Sequence, residues 1–147
     1  MDRSPPQMNF DEHILLLGQA ARASHQYEIT TSVILAKVLD IDLDRAHVIA
    51  SGAGQGSVLG MIKALASRSD SRLRGDAVLD WLKVARQAQE ARNRITHSLW
   101  TYDDQQQMTA VMGRGLTVEP RSKADLEEDL RTLMRAVDEA SDLVRRP

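Results

Sequence analysis

Apolar residues recur along most of this chain at intervals of three and four, the spacing that gathers them on one face of an α-helix. From Phe10 onward, Ile14, Leu17, Ala21, Ile29, Val33, Ala36 and Leu39 predict one long first helix, with Gly18 and the Thr30–Thr31 pair as weak points that allow a bend. Ahead of it, the paired prolines and polar residues of 1–9 predict a flexible N-terminal arm. Asp40, Asp42 and Asp44 alternate as in a calcium loop, but Arg45 stands where that loop needs Gly and Ser51 where it needs Glu. The simpler expectation is that Asp42 or Asp44 caps a short helix running to Ala50. The Gly-rich run 51–57 lacks both a dinucleotide fingerprint and the Gly-Lys-Ser/Thr of a P-loop, so it is expected to be a flexible turn between helices.

Val58, Met61, Ile62, Leu65 and Ala66 predict a further short helix, followed by a polar, solvated connection carrying Arg68, Arg72 and Arg74. Asp76 caps or opens a long helix whose stripe is Val78, Leu82, Ala85, Ala88, Gln89, Ile95 and Leu99. Thr109–Met112 and Leu116–Val118 flank Gly113-Arg114-Gly115 and predict a small β-hairpin ended by Pro120. Ser122 with Asp125 three residues later reads as a capping box, and Leu126, Leu130, Leu133, Val137, Ala140 and Val144 define the last amphipathic helix. Burying these stripes against one another predicts an all-α protein: an up-and-down four-helix bundle with an extra short helix and a small β-hairpin before the last helix, in one domain over 10–147.

Composition supports helices over sheet, since aromatic residues are only 3% of the 147 and Ala, Leu and Val carry the apolar load. A net charge of −2 argues against nucleic-acid binding by bulk basicity, so any such contact has to come from a local patch. With no cysteine there is no disulfide, thiol nucleophile or Cys-ligated zinc. No apolar run approaches the roughly 18 residues of a membrane span, and the first residues lack the apolar core of a signal peptide. No membrane partner is expected, and the cytoplasm is the default location.

The concentration of chemistry lies in Arg92, Asn93 and His97, at the end of the long helix. Arg92 falls among Ala88, Ile95 and Leu99, beside the apolar stripe, where a charge needs a partner or a cleft. One reading pairs it with Asp11, Glu12 or an acid of the last helix. The other is catalytic: an imidazole moves a proton at a ribose hydroxyl or leaving oxygen, the guanidinium stabilises charge growing on phosphate, and Asn93, four residues from His97, orients the ring or the phosphate. That pairing needs no metal, no cofactor is expected, and His13, His25 and His47 lack partners at ligand spacing. Five residues of ideal helix set Arg92 and His97 about 140° apart. The arginine must wrap, the helix must loosen near Thr96, or a second copy must complete the site.

Arg, then a polar residue, then His, on the third main helix of a small bundle, resembles the signature of the HEPN superfamily, in which Arg is followed after four to six residues by His. Here the match is Arg92, Asn93 and His97, and the trailing Ser98-Leu99-Trp100 is similar to many members in which a small residue and an aromatic follow the His. The resemblance implies an all-helical homodimer with the two motif helices facing across a cleft. It implies RNA as substrate, cleavage without metal, and a toxin–antitoxin or phage-defence setting, with an antitoxin protein as companion in one branch. It equally admits a non-catalytic RNA-binding or protein-interaction module. Arg86 and Arg94 either extend a basic strip for phosphate or are solvated surface. Tyr102 and Trp100 offer rings for base stacking, with Trp100 alternatively part of the core.

Overall fold

The computed structural model describes residues 10–68, 70–102, 108–112 and 117–146, without the side chains of residue 10 and of residues 102–120. The expected arm over 1–9 and the turn at Gly113-Arg114-Gly115 lie outside the described residues. The protein is mostly helical: α1 spans Phe10–Leu39, α2 Leu43–Ala53, α3 Gln55–Ala66, α4 Gly75–Thr96 and α5 Lys123–Arg145. Three short strands, β1 Ser98–Tyr102, β2 Met108–Met112 and β3 Thr117–Pro120, lie between α4 and α5.

α1 is the central element, packed against all four other helices. Its buried side is Leu16, Ala20, Ala23, Tyr27, Ile34, Leu35, Ala36 and Val38; of the expected stripe Ala36 is buried and Leu17 and Leu39 pack against the core, whereas Ile14, Ala21 and Ile29 are exposed. Ile14-Leu15-Leu16-Leu17 is apolar all round, so periodicity alone does not select a face. The small residues Ala20 and Ala23 select it, because they let neighbouring helices approach. Two long-range hydrogen bonds tie the layers together, Tyr27 Oη donating to the Ala85 carbonyl (2.7 Å) and Trp81 Nε1 to that of Ala136 (2.9 Å).

The alternating acids after α1 serve as helix ends. Asp40 takes a left-handed φ of 54°, and the amide of Ile41 reaches back to the Ala36 carbonyl (3.0 Å), which closes α1. Asp42 then caps α2 by accepting from the Arg45 amide at 2.8 Å. The Gly-rich run is not a flexible turn. Ser51–Ala53 finish α2, Gln55 starts α3, and the reversal is confined to Gly54, whose φ of 77° is open to glycine and strained for other residues. The arginines of the next connection form exposed pairs, Arg68 with Asp70, Arg72 with Asp40 and Arg74 with Asp76.

α5 begins with the expected capping box of Ser122 and Asp125 and buries Leu126, Leu133, Ala136 and Ala140. β2 and β3 are the expected hairpin, paired with Val111 opposite Val118. β1, read from sequence as the tail of the helix, is instead a third antiparallel strand on β2, with Trp100 opposite Ala110. Leu99 therefore leaves the helical stripe and lies 69% exposed on β1.

Candidate functional site

The site is built on the C-terminal end of α4, where the carbonyls of Asn93, Arg94 and Ile95, three of its last four, have local partners. Thr96 Oγ1 donates to the Arg92 carbonyl (2.8 Å), the His97 amide to that of Asn93 (3.0 Å), Ser98 Oγ to that of Arg94, and Trp100 Nε1 to that of Ile95 (3.1 Å). A helix end leaves four such acceptors unsatisfied unless the chain that follows supplies donors. The His97 amide, Ser98 and Trp100 supply three of them here, and Thr96 adds a bond to the carbonyl one turn back. Trp100 is half-buried against the core while doing so, as its core reading anticipated.

His97 is the residue that turns out of the helix, at φ −107° and ψ 8°. That departure brings its Nε2 to 3.4 Å from Arg92 Nη1 within a single chain, so of the three ways to join the two residues it is the end of the helix at Thr96 that operates. A guanidinium only donates, so a hydrogen bond here requires the tautomer with Nε2 free to accept and the ring proton on Nδ1. The same Nη1 lies 3.5 Å from Asn93 Oδ1, which also accepts from Gln89 Nε2 at 3.0 Å. Arg92, Asn93 and His97 are thus one cluster. The buried Oε1 of Gln89 has no partner among the described residues.

Arg92 is anchored by Glu28 of α1. Glu28 Oε1 accepts from Nε (2.9 Å) and from Nη2, with the arginine side chain 20% exposed. This corrects the expected partners, Asp11, Glu12 or an acid of α5. Sequence spacing could not pair residues 64 apart, although Glu28 is the only acid between Glu12 and Asp40 and stands next to the core residue Tyr27. Burial pushes the Tyr27 hydroxyl well above the ordinary phenol range, against the pull of the nearby Arg92 charge.

Beside this cluster a cavity of about 250 Å3 opens between α1, α2 and α4, lined among others by Glu28, Ser32, His47, Ser51, Gln55 and Arg92. His47, given no role from sequence, borders it from the exposed side of α2. The other candidates are dispersed. Arg94 turns to α5, where it and Arg121 both bind the buried Asp129 (2.7 and 2.5 Å). Arg86 is exposed in a groove shared with Lys63 and Lys83. Tyr102 ends β1, with its side chain outside the described residues. Arg86, Arg92 and Arg94 therefore do not form one continuous strip.

Among the described residues no three His, Cys, Asp or Glu side chains gather in a way that could hold a metal ion, and no helix is long and apolar enough to cross a membrane. No protein-family model, curated protein or solved structure matches the chain. The functional reading therefore rests on the geometry of this cluster.

Proposed function

We propose that the protein is a HEPN-type endoribonuclease that acts as a homodimer, built on an up-and-down bundle, and cleaves RNA without metal. His97 takes or gives the proton at the reacting oxygen. Arg92 stabilises the negative charge that develops on the phosphate, and Asn93 positions Arg92 and the substrate. The observation that carries this reading is the 3.4 Å approach of Arg92 Nη1 to His97 Nε2 at an accessible helix end. Glu28 holds Nε and Nη2, which aims the remaining terminal nitrogen at the side where His97 stands. Leu99, exposed two residues beyond His97, supports a second copy covering this end of the molecule. An antitoxin partner, a toxin–antitoxin or phage-defence role and a cytoplasmic location belong to the same proposal.

The test is cleavage of single-stranded and structured RNA in the presence of a chelator, comparing wild type with His97→Ala and Arg92→Ala. Loss in both variants is expected, and equal activity in all three proteins overturns the assignment. A second reading has its own support in the Glu28 pair: a guanidinium this well satisfied serves equally in a non-catalytic RNA-binding or protein-interaction module. In that case His97→Ala lowers stability or dimerisation and there is no hydrolysis to lose.

A further inference from the structure

RNA cleavage by attack of the 2′-hydroxyl needs two proton transfers on opposite sides of the phosphorus. The 2′-oxygen loses its proton as its bond to phosphorus forms, and the 5′-oxygen gains one as its bond to phosphorus breaks. The entering and leaving oxygens lie roughly in line through the phosphorus, so one imidazole cannot serve both in a single step. The ribonuclease reading gives His97 one transfer; the other falls to the partner subunit's His97 or to a second imidazole of the same chain.

The cavity beside Arg92 contains another imidazole. Arg92 is shared by two surroundings: its Nη1 approaches His97, and its side chain also lines the cavity bordered by His47. Arg92 therefore stands between an imidazole at the helix end and a cavity that His47 borders together with the carboxylate-bearing Glu28. The remaining described histidines are elsewhere on α1, His13 buried and His25 exposed. Ser32, Ser51 and Gln55 supply the cavity with hydroxyl and amide groups suited to a ribose. Its volume of about 250 Å3 falls below the roughly 300–1,000 Å3 that encloses a drug-sized ligand, which suits one sugar–phosphate unit rather than a buried stretch of strand.

We propose that this cavity seats the nucleotide on the leaving side of the scissile bond and that His47 donates the proton to the departing 5′-oxygen. The inference rests on the ribonuclease reading. With Arg92 Nη1 turned from the ring to the phosphate, His97 Nε2 accepts the 2′ proton, the 2′-oxygen displaces the 5′-oxygen at phosphorus, and His47, acting as the acid, passes a proton to that oxygen. The products are a 2′,3′-cyclic phosphate and a 5′-hydroxyl, with no other reactant consumed.

The experiment compares an oligonucleotide carrying one ribonucleotide linkage with the same oligonucleotide in which the bridging 5′-oxygen is sulfur. A thiolate leaves without being protonated, so the sulfur substrate bypasses the acid. His47→Ala is expected to cleave the oxygen linkage about 10²–10⁴-fold more slowly and the sulfur linkage within a few-fold of wild type, whereas His97→Ala is impaired on both. His47 is exposed, and His47→Asn with a thermal unfolding curve for each variant separates chemistry from folding. A His47 variant that is folded and unimpaired on the oxygen linkage, or equally slow on both linkages, overturns the role of His47 and leaves the ribonuclease reading standing. A wild-type protein that cleaves neither substrate overturns the ribonuclease reading and this inference together.

Discussion

Arg92 Nη1 and His97 Nε2 are 3.4 Å apart although they are five residues apart in sequence, a separation that ideal helix places on different faces. The contact exists because α4 ends between them. It depends on the planar fork of arginine, which reaches Glu28 with Nε and Nη2 and His97 with Nη1 at the same time. Lysine has a single nitrogen and cannot hold both partners. Arg92→Lys, which keeps the charge, is therefore expected to lower RNA cleavage about 10²–10³-fold, the usual consequence of losing one charge-stabilising donor, with little change in the folded structure. The check is kcat at saturating RNA, together with a circular dichroism spectrum.

Glu28→Gln keeps the shape of the anchor and removes its charge, leaving a largely buried guanidinium with a neutral acceptor. Both side chains retain some exposure, 20% for Arg92 and 29% for Glu28, so the cost is below the full penalty for breaking a buried pair. A loss of about 1–3 kcal/mol is expected, measured by urea unfolding of the variant beside wild type.

Asp129 is a different case, because one carboxylate with 5% side-chain exposure is shared by Arg94 of α4 and Arg121, just ahead of α5. Asp129→Asn leaves two guanidiniums facing a neutral amide, and Arg121 already has a buried Nε without a partner among the described residues. The expected loss is about 3–5 kcal/mol, a large part of the roughly 5–15 kcal/mol that holds a domain of this size folded. A fall in both the urea midpoint and the melting temperature is the readout, and loss of Arg94→Ala on top of Asp129→Asn should cost less than the two singly.

How far these features were legible differs by element, for physical reasons. The capping box at Ser122, the last helix, and the hairpin of β2 and β3 follow from short-range signals, and the structure has them. β1 is hidden in the sequence because Ser98–Tyr102 continues an apolar helical stripe, and only its alternation of β-formers marks it as a strand. The buried face of α1 is ambiguous at its start, where four consecutive apolar residues, 14–17, fit any face. Around Arg92, the sequence marks Asn93 and His97 as polar neighbours near the end of the helix, but ideal helix spacing sets Arg92 and His97 apart, and only the end of α4 at Thr96 brings them into contact. Glu28 pairs with Arg92, and His47 shares a cavity with it, through the packing of α1 and α2, which no local pattern encodes.

Gly75 opens α4 against the end of α3. A Cβ built at this residue would come under 3.0 Å from the Ala66 carbonyl oxygen, a backbone atom that cannot move without shifting α3. Gly75→Ala is therefore expected to destabilise by about 1–3 kcal/mol, as overpacking does, even though alanine is the better helix former. Gly18→Ala is the control, with nothing within 4 Å of its Cβ on the same construction. It should be neutral or slightly stabilising, and thermal unfolding of the pair separates close approach from propensity.

Acid should weaken the fold in two steps whose order follows from the groups involved. His13 is 3% exposed, and burial holds its imidazole below the ordinary value near 6.5. The unfolded chain therefore binds this proton more readily than the native one, so stability is full above the ordinary value and is lost as pH falls through the lowered one. Asp125 acts lower on the scale. Its carboxylate is held below the usual range by the Ser122 amide and hydroxyl of the capping box, and its contribution is lost as pH falls beneath the ordinary carboxylate value. His13→Gln should flatten the first decline, which begins below the ordinary value near pH 6.5, and leave the second in place. Asp125→Asn should do the reverse. Urea unfolding across pH 3 to 7 for the three proteins distinguishes them, and a His13→Gln curve that stays parallel to wild type as pH falls below about 6.5 would mean that burial of this imidazole does not set the acid limb.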